Sequence, residues 1–239
     1  MQMIETQIFS ALSETPLPRK LDLPEWFLPD TEVTYEPKPC SRASFGSLHL
    51  GACNGTDVVV MCLNDGTGES LQTNERFQRY TTRWHGLDHL HVAKMLGVSH
   101  LSSPPLVIYE EVKYNVAGYL ADSTNAGSMW RLLYETALGL RYAHNKKVLH
   151  GNLKLTTIRV DSEGHAKICG PSRLKSGAVR WQAPECLTGR RTFASVIYSL
   201  AMCIIEALSG EPPFGQLDDD TLYATHESVY SSLKLHYDD

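Results

Sequence analysis

The stretch from Val148 to Gly170 reads Val-Leu-His-Gly-Asn-Leu-Lys-Leu-Thr-Thr-Ile-Arg-Val-Asp-Ser-Glu-Gly-His-Ala-Lys-Ile-Cys-Gly, and it constrains the fold more than any other part of the chain. An apolar pair enters a His-x-x-Leu-Lys loop. Two short β-type runs, Thr157 to Val160 and Ala166 to Cys169, then flank the turn Asp161-Ser162-Glu163-Gly164. The predicted unit is a loop that delivers polar side chains beside a hairpin. Upstream, Met129, Leu132, Leu133, Ala137 and Leu140 recur at three and four, which predicts an amphipathic helix from about Ser128 to His144 leading into that loop.

This arrangement resembles the catalytic loop and following hairpin of a protein kinase, whose pattern is H-R-D-x-x-x-x-N and then D-F-G. His150, Leu153 and Lys154 match. The catalytic Asp position is Asn152, the metal-binding Asn position is Thr157, and D-F-G reads Gly170-Pro171-Ser172.

Other family motifs follow in order. Phe45-Gly46 ends a degenerate glycine loop in which Ser41 and Ala43 replace two glycines. Asn54-Gly55 signals a hairpin turn before the strand Asp57-Val-Val-Val-Met-Cys-Leu63. In that strand the resemblance puts the phosphate-binding Lys at Met61. The next helix, expected at about Thr73 to Leu87 with Phe77, Tyr80 and Trp84 on one face, has Tyr80 where the partner Glu would stand. Both ends of the ion pair are replaced together, so neither is left as a lone buried charge.

Leu106 to Val112 reads as a strand entering a hinge. The resemblance implies Ile108 at the back of a nucleotide pocket, with Tyr109, Glu110 and Glu111 as the hinge. Ala183-Pro184-Glu185 matches A-P-E. The short segment before it carries Ser176, and Ala178 where a Thr is usual. The apolar helix Val196 to Leu208 resembles the helix that supports the catalytic loop, with Val196 at its usual Asp position. Pro212-Pro213-Phe214 and a helix at about Thr221 to Leu233 follow, with Asp218-Asp219-Asp220 as its solvated start. The family continues with further helices bearing the Arg that pairs with Glu185. Arg180-Trp181 and the Asn54 to Asp57 turn look most like the tyrosine-kinase-like serine/threonine group.

The expected architecture is therefore α+β and bilobal: an extended, proline-rich flank over 1–32, then a kinase-like domain over 33–239. Within it, 33–108 form a β-rich lobe, 109–111 a hinge and 112–239 a helical, partial second lobe. Trp26 and Phe27 are expected to anchor the flank. His89-x-His91 reads as a packing motif because no carboxylate or thiol stands at ligand spacing beside it.

A net charge of −5 gives no electrostatic reason for nucleic acid or an anionic membrane as partner. The longest apolar run is shorter than the roughly 20 residues of a membrane helix. Cys40, Cys53, Cys62, Cys169, Cys186 and Cys203 form no C-x-x-C pair. They are expected to be reduced core thiols of an intracellular, cytoplasmic protein.

Phosphoryl transfer requires metal ions, a Lys on the phosphates and a base to orient the hydroxyl. All three positions are replaced. The expectation is a pseudokinase: a catalytically inactive protein-binding or regulatory module of kinase signalling, whose partner is a protein such as an active kinase. No cofactor or metal is expected. Any ATP binding, in a cleft formed by Phe45, Gly46, Met61, Ile108 and the hinge, would be weak and without Mg²⁺. Two alternatives stand beside it: a kinase with rebuilt chemistry, using Arg42 or Lys154 for the lost Lys, and a decayed copy with little function.

Overall fold

The fold is built on one tight hairpin. In the computed structural model, which describes residues 23–43, 46–63, 75–170, 179–188 and 191–237, Asn54 and Gly55 both take positive φ, 49° and 79°. This is the turn expected from the sequence. It pairs β3 (Gly46–Cys53) with β4 (Thr56–Leu63) in antiparallel register from Cys53↔Thr56 to Gly46↔Leu63.

Around that hairpin an antiparallel sheet runs in the order β1, β3, β4, β6, β5. Its other members are β1 (Val33–Tyr35), β5 (Met95–Ser99) and β6 (Leu106–Glu110), while β2 (Ser41–Ala43) also pairs with β3. Because side chains alternate across a strand, the sheet buries two separate sets. Val59, Met61, Leu63, Val107 and Tyr109 face the main core. Val58, Val60, Cys62, Leu106 and Ile108 form a second cluster with Val33 and Cys53.

The end of the flank belongs to this lobe. Trp26 is buried and its indole N–H donates to Thr82 Oγ1 at 2.9 Å, and Trp26 and Leu28 exchange backbone hydrogen bonds with Val98. The lobe's helix, α1, spans Glu75–His85 and ends two residues before the expected Leu87; 73 and 74 lie outside the described residues.

The second lobe is mainly helical. α2 (Val116–Ala121), which periodicity did not predict, precedes α3 (Met129–Asn145), α4 (Phe193–Ser209) and α5 (Asp219–Tyr237). α4 starts three residues earlier than its apolar run, because Thr192 and Ser195 form a capping box, and it stops at Gly210 with φ 74°. α5 is capped as expected: Asp218 Oδ1 accepts the Thr221 N–H at 2.7 Å.

A three-stranded sheet of β7 (Tyr114–Asn115), β8 (Ile158–Val160) and β9 (Ala166–Ile168) realises the predicted hairpin, one residue shorter in each run. Its turn is held by Asp161, whose Oδ1 accepts from the N–H groups of Glu163 and His165.

Two seams join the lobes. Ala93 N–H donates to Ile168 C=O at 2.9 Å and Ile168 N–H to His91 C=O at 3.1 Å. Lys167 Nζ reaches Glu110 Oε1 at 2.9 Å and Asp161 Oδ2 at 3.6 Å, so the hinge strand is tied to the hairpin. His89 and His91 serve this junction as packing groups. His89 stacks on Tyr142, and His91 Nδ1 lies 3.1 Å from the Ala166 carbonyl oxygen. Among the described residues no helix is long and apolar enough to cross a membrane.

Candidate functional site

The loop after α3 is shaped by its own backbone and by one hydroxyl. Thr157 Oγ1 donates within reach of the Asn152 and Lys154 carbonyls, at 2.8 and 3.0 Å, and accepts the Lys154 N–H at 3.1 Å. At the position of a metal-binding Asn, Thr157 thus closes the loop on itself. Asn152 is buried, at 8% exposure.

Lys154 packs on an aromatic ring. Its ammonium lies 5.6 Å from the centroid of the Trp181 ring, a cation–π geometry. Beneath it stands Glu206 of α4, whose Oε2 accepts from the Leu155 N–H at 3.2 Å and the Trp181 indole N–H at 2.8 Å. Burial raises the Glu206 carboxyl above the usual carboxylate range, opposed by these hydrogen bonds and by Lys154. Arg191 adds a hydrogen bond to the Gly151 carbonyl at 3.0 Å. Val196, at the position where the family's loop-supporting Asp is replaced, is buried and apolar and offers the loop no hydrogen bond. The support comes from Glu206, ten residues on, and its signal was a lone carboxylate inside an apolar helix.

The other wall of the site is closed by aromatic carbon. Trp84, 1% exposed on the inner face of α1, lies against Gly170, so that a Cβ built at Gly170 would fall within the van der Waals envelope of its indole carbons Cδ2 and Cε2. The ring also meets His150 edge-on, with centroids 5.8 Å apart. His150 is fully enclosed, and burial holds its imidazole down to about 4. Its neighbour Cys169 is pushed up to about 12 by burial, so this thiol stays protonated at neutral pH.

The expected pocket residues divide. Met61 is buried at 7% exposure in the same cluster as Trp84, Leu63 and Tyr109. Ile108 is corrected: strand alternation puts it on the opposite face of the sheet, in the second cluster, and the residue that shares Met61's face is Tyr109. Of the expected hinge residues, Tyr109 and Glu110 are still in β6, and the strand ends before Glu111. Glu110 spends its backbone N–H on the Lys94 carbonyl, and its carboxylate accepts from Lys94 N–H and Lys167.

Packing requires a glycine at Gly46, because a Cβ there would collide with the Cys62 carbonyl oxygen across the strand pair. Phe45, Ser172, Ser176 and Ala178 lie outside the described residues, as does the side chain of Tyr80, whose backbone is within α1. Arg42 is exposed on β2. Among the described residues no three His, Cys, Asp or Glu side chains are grouped to hold a metal ion.

The segment around Ala183-Pro184-Glu185 is fastened by Arg180, which periodicity could not reveal. Its guanidinium donates to the carbonyls of Pro213, Phe214 and Leu217 and pairs with Asp219 at 2.9 Å. Glu185 is not isolated, and it lies near enough to Tyr198 to help raise that phenol's pKa after burial.

Against known proteins, the model of the protein tyrosine and serine/threonine kinase family matches residues 38–236. The chain is 27% identical over 199 residues to mitogen-activated protein kinase kinase kinase 1a of Physcomitrium patens, covering 73% of this chain and 25% of that protein. It is 27% identical over 208 residues to serine/threonine-protein kinase CTR1 of Arabidopsis thaliana, covering 73% and 24%. It is 30% identical over 132 residues to serine/threonine-protein kinase SKM1 of Saccharomyces cerevisiae, covering 50% and 20%. The chain thus spans a quarter or less of the length of these relatives. With its curled antiparallel sheet, its helical second lobe and a match over most of its length, the chain belongs to the protein tyrosine and serine/threonine kinase family.

Proposed function

We propose that this chain is a catalytically inactive member of its family, working as a protein-binding or regulatory module in kinase signalling. The observation that carries the reading is the contact of Trp84 with Gly170. At the position where a kinase presents a metal-binding carboxylate there is neither a side chain nor room for one. Met61 brings no charge for phosphates, Asn152 accepts a proton poorly, and Lys154 is engaged with Trp181.

A missing general base alone costs about 10²- to 10⁴-fold in rate. Losing it together with the metal ligands and the phosphate Lys leaves nothing to lower the barrier of phosphoryl transfer.

The test is a thermal melt of the purified chain with millimolar ATP, with and without Mg²⁺, alongside an assay of phosphate transfer to a generic substrate. A ligand at about a hundred times its dissociation constant adds roughly 2.7 kcal/mol of stability. The expected result is no Mg²⁺-dependent shift and no transfer. A shift that requires Mg²⁺, with phosphate incorporated, would overturn the reading and point to rebuilt chemistry.

A further inference from the structure

The face of the first lobe's sheet turned away from Met61 carries a second group of reactive side chains. Along β3, Leu48 and Leu50 pack on the main core, so alternation sends Ser47 and His49 to the opposite face. Their cross-strand neighbours in β4 are Cys62 and Val60, both members of the second apolar cluster. On the other side, Arg42 of β2 stands in register with Ser47 and shares its face.

Glu36, His49 and Ser47 form a hydrogen-bonded chain. His49 Nδ1 lies 2.7 Å from the Glu36 carbonyl oxygen, and His49 Nε2 lies 2.8 Å from Ser47 Oγ. A carbonyl oxygen only accepts, so Nδ1 carries the proton and the neutral ring offers its Nε2 lone pair to the Ser47 hydroxyl. His49 is buried at 6% exposure, and the Tyr35 ring meets it edge-on with centroids 5.2 Å apart. The imidazole is thus held in place, while Ser47 is only half-buried.

A serine bonded to an imidazole that a third group orients is the geometry of an activated nucleophile. Packing alone asks only that both nitrogens of a buried ring be satisfied. The exposed cation of Arg42 opposite the hydroxyl adds what nucleophilic chemistry needs, a charge to meet a developing oxyanion.

We propose that Ser47 is a base-activated nucleophile that takes an acyl group from small carboxylic esters, with His49 as general base, the Glu36 carbonyl as its orienter and Arg42 as oxyanion stabiliser. Ser47 Oγ bonds to the ester carbonyl carbon as its proton passes to His49 Nε2. The tetrahedral oxyanion collapses, the bond to the alcohol oxygen breaks, and that oxygen takes the proton from Nε2. The Glu36 carbonyl, accepting from Nδ1–H, favours the imidazolium between these steps. Water then attacks the acyl-serine by the same route and releases the acid and free Ser47. No step passes through the cleft between the lobes.

The experiment is labelling of the full chain with a fluorophosphonate, whose phosphorus is attacked as an ester carbonyl is and whose adduct stays on the serine. Ser47 Oγ bonds to phosphorus, fluoride leaves, and the proton departs through His49. Peptide mapping should place the phosphonyl group on Ser47, and Ser47→Ala should abolish it. His49→Gln should slow labelling by about 10²- to 10⁴-fold, the contribution of a general base. Arg42→Ala should slow it less, and Arg42→Lys should restore much of the rate.

A chain that takes no label, a label mapped only to other residues, or labelling of His49→Gln at the native rate overturns the proposal. Should His49→Gln not fold, the mapped position in the native chain and its disappearance in Ser47→Ala decide alone. An unchanged rate in Arg42→Ala overturns the role given to that residue.

Discussion

Trp84 occupies the space that any side chain at position 170 would need, so Gly170 and the indole are two halves of one packing solution. The first lobe presses its aromatic plug onto the backbone of the second at the base of the cleft. Either partner is constrained by the other.

Restoring the acid at that position should therefore damage the fold without creating a metal site. Gly170→Asp forces the indole or the backbone just after β9 to move, and overpacking of this kind costs about 1–3 kcal/mol, with burial of an unpaired carboxylate added. Chemical denaturation should show the loss, and the melt should remain insensitive to Mg²⁺. Trp84→Ala leaves a large cavity and is expected to cost about 3–5 kcal/mol.

Stability should fall as the pH drops through the range set by His150. Burial depresses its folded pKa to about 4, below the ordinary value near 6.5. The unfolded chain therefore binds the proton first, and the contribution present above about 6.5 is lost progressively down to about 4. The shift corresponds to about 3 kcal/mol. His100, His144 and His226, also lowered by burial, push in the same direction.

Glu206, whose carboxyl burial raises, works the other way and contributes stability that is lost as pH rises through its folded pKa. Denaturation midpoints measured between pH 7 and pH 4 should show the net decline. His150→Phe, which keeps an aromatic edge against Trp84, should flatten the part due to this residue.

Glu206 should behave as a structural acceptor rather than a necessary charge. Glu206→Ala strands the buried N–H groups of Leu155 and Trp181, and each unsatisfied donor costs about 1–3 kcal/mol. Glu206→Gln keeps an oxygen that accepts both bonds and sheds a buried charge, so its loss should be much smaller. Urea midpoints of the two variants give the comparison, and equal losses would refute the assignment.

Arg180→Ala should loosen one corner of the second lobe. Three carbonyls and Asp219 lose a charged donor, each such bond contributing about 1.5–3 kcal/mol at most and less where solvent competes. Amide exchange should accelerate at 214–222, while the sheet around β4 stays protected. Uniform acceleration through both lobes would contradict a local clamp.

Much of the fold was legible because its elements carry local signals. The Asn54-Gly55 turn, the apolar β4 run, the three-and-four period of α3 and the Asp161 to Gly164 turn each name their own structure. Positions in the cleft were harder. Ile108 and Tyr109 are adjacent and both apolar enough to be buried, and only the register Val60↔Ile108 decides which shares Met61's face. That register is a long-range fact.

Trp84 was visible as a face residue of its helix, but its meeting with Gly170 joins positions far apart in sequence. Glu206 and Arg180 were likewise hidden, since a polar side chain announces that it needs partners without naming them. The degenerate motif positions were readable as substitutions. What fills the space they vacated was not.

The ties between the lobes have a dynamic consequence. Family enzymes that exchange nucleotides need a joint that opens and shuts. Here Ala93 and His91 share backbone bonds with Ile168, and Lys167 latches Glu110 from the hairpin side. Opening the joint would break those bonds and draw Trp84 away from Gly170, exposing apolar carbon to water. The breathing amplitude of the cleft should therefore be small, and any surface that spans both lobes keeps a fixed outline for whatever it meets.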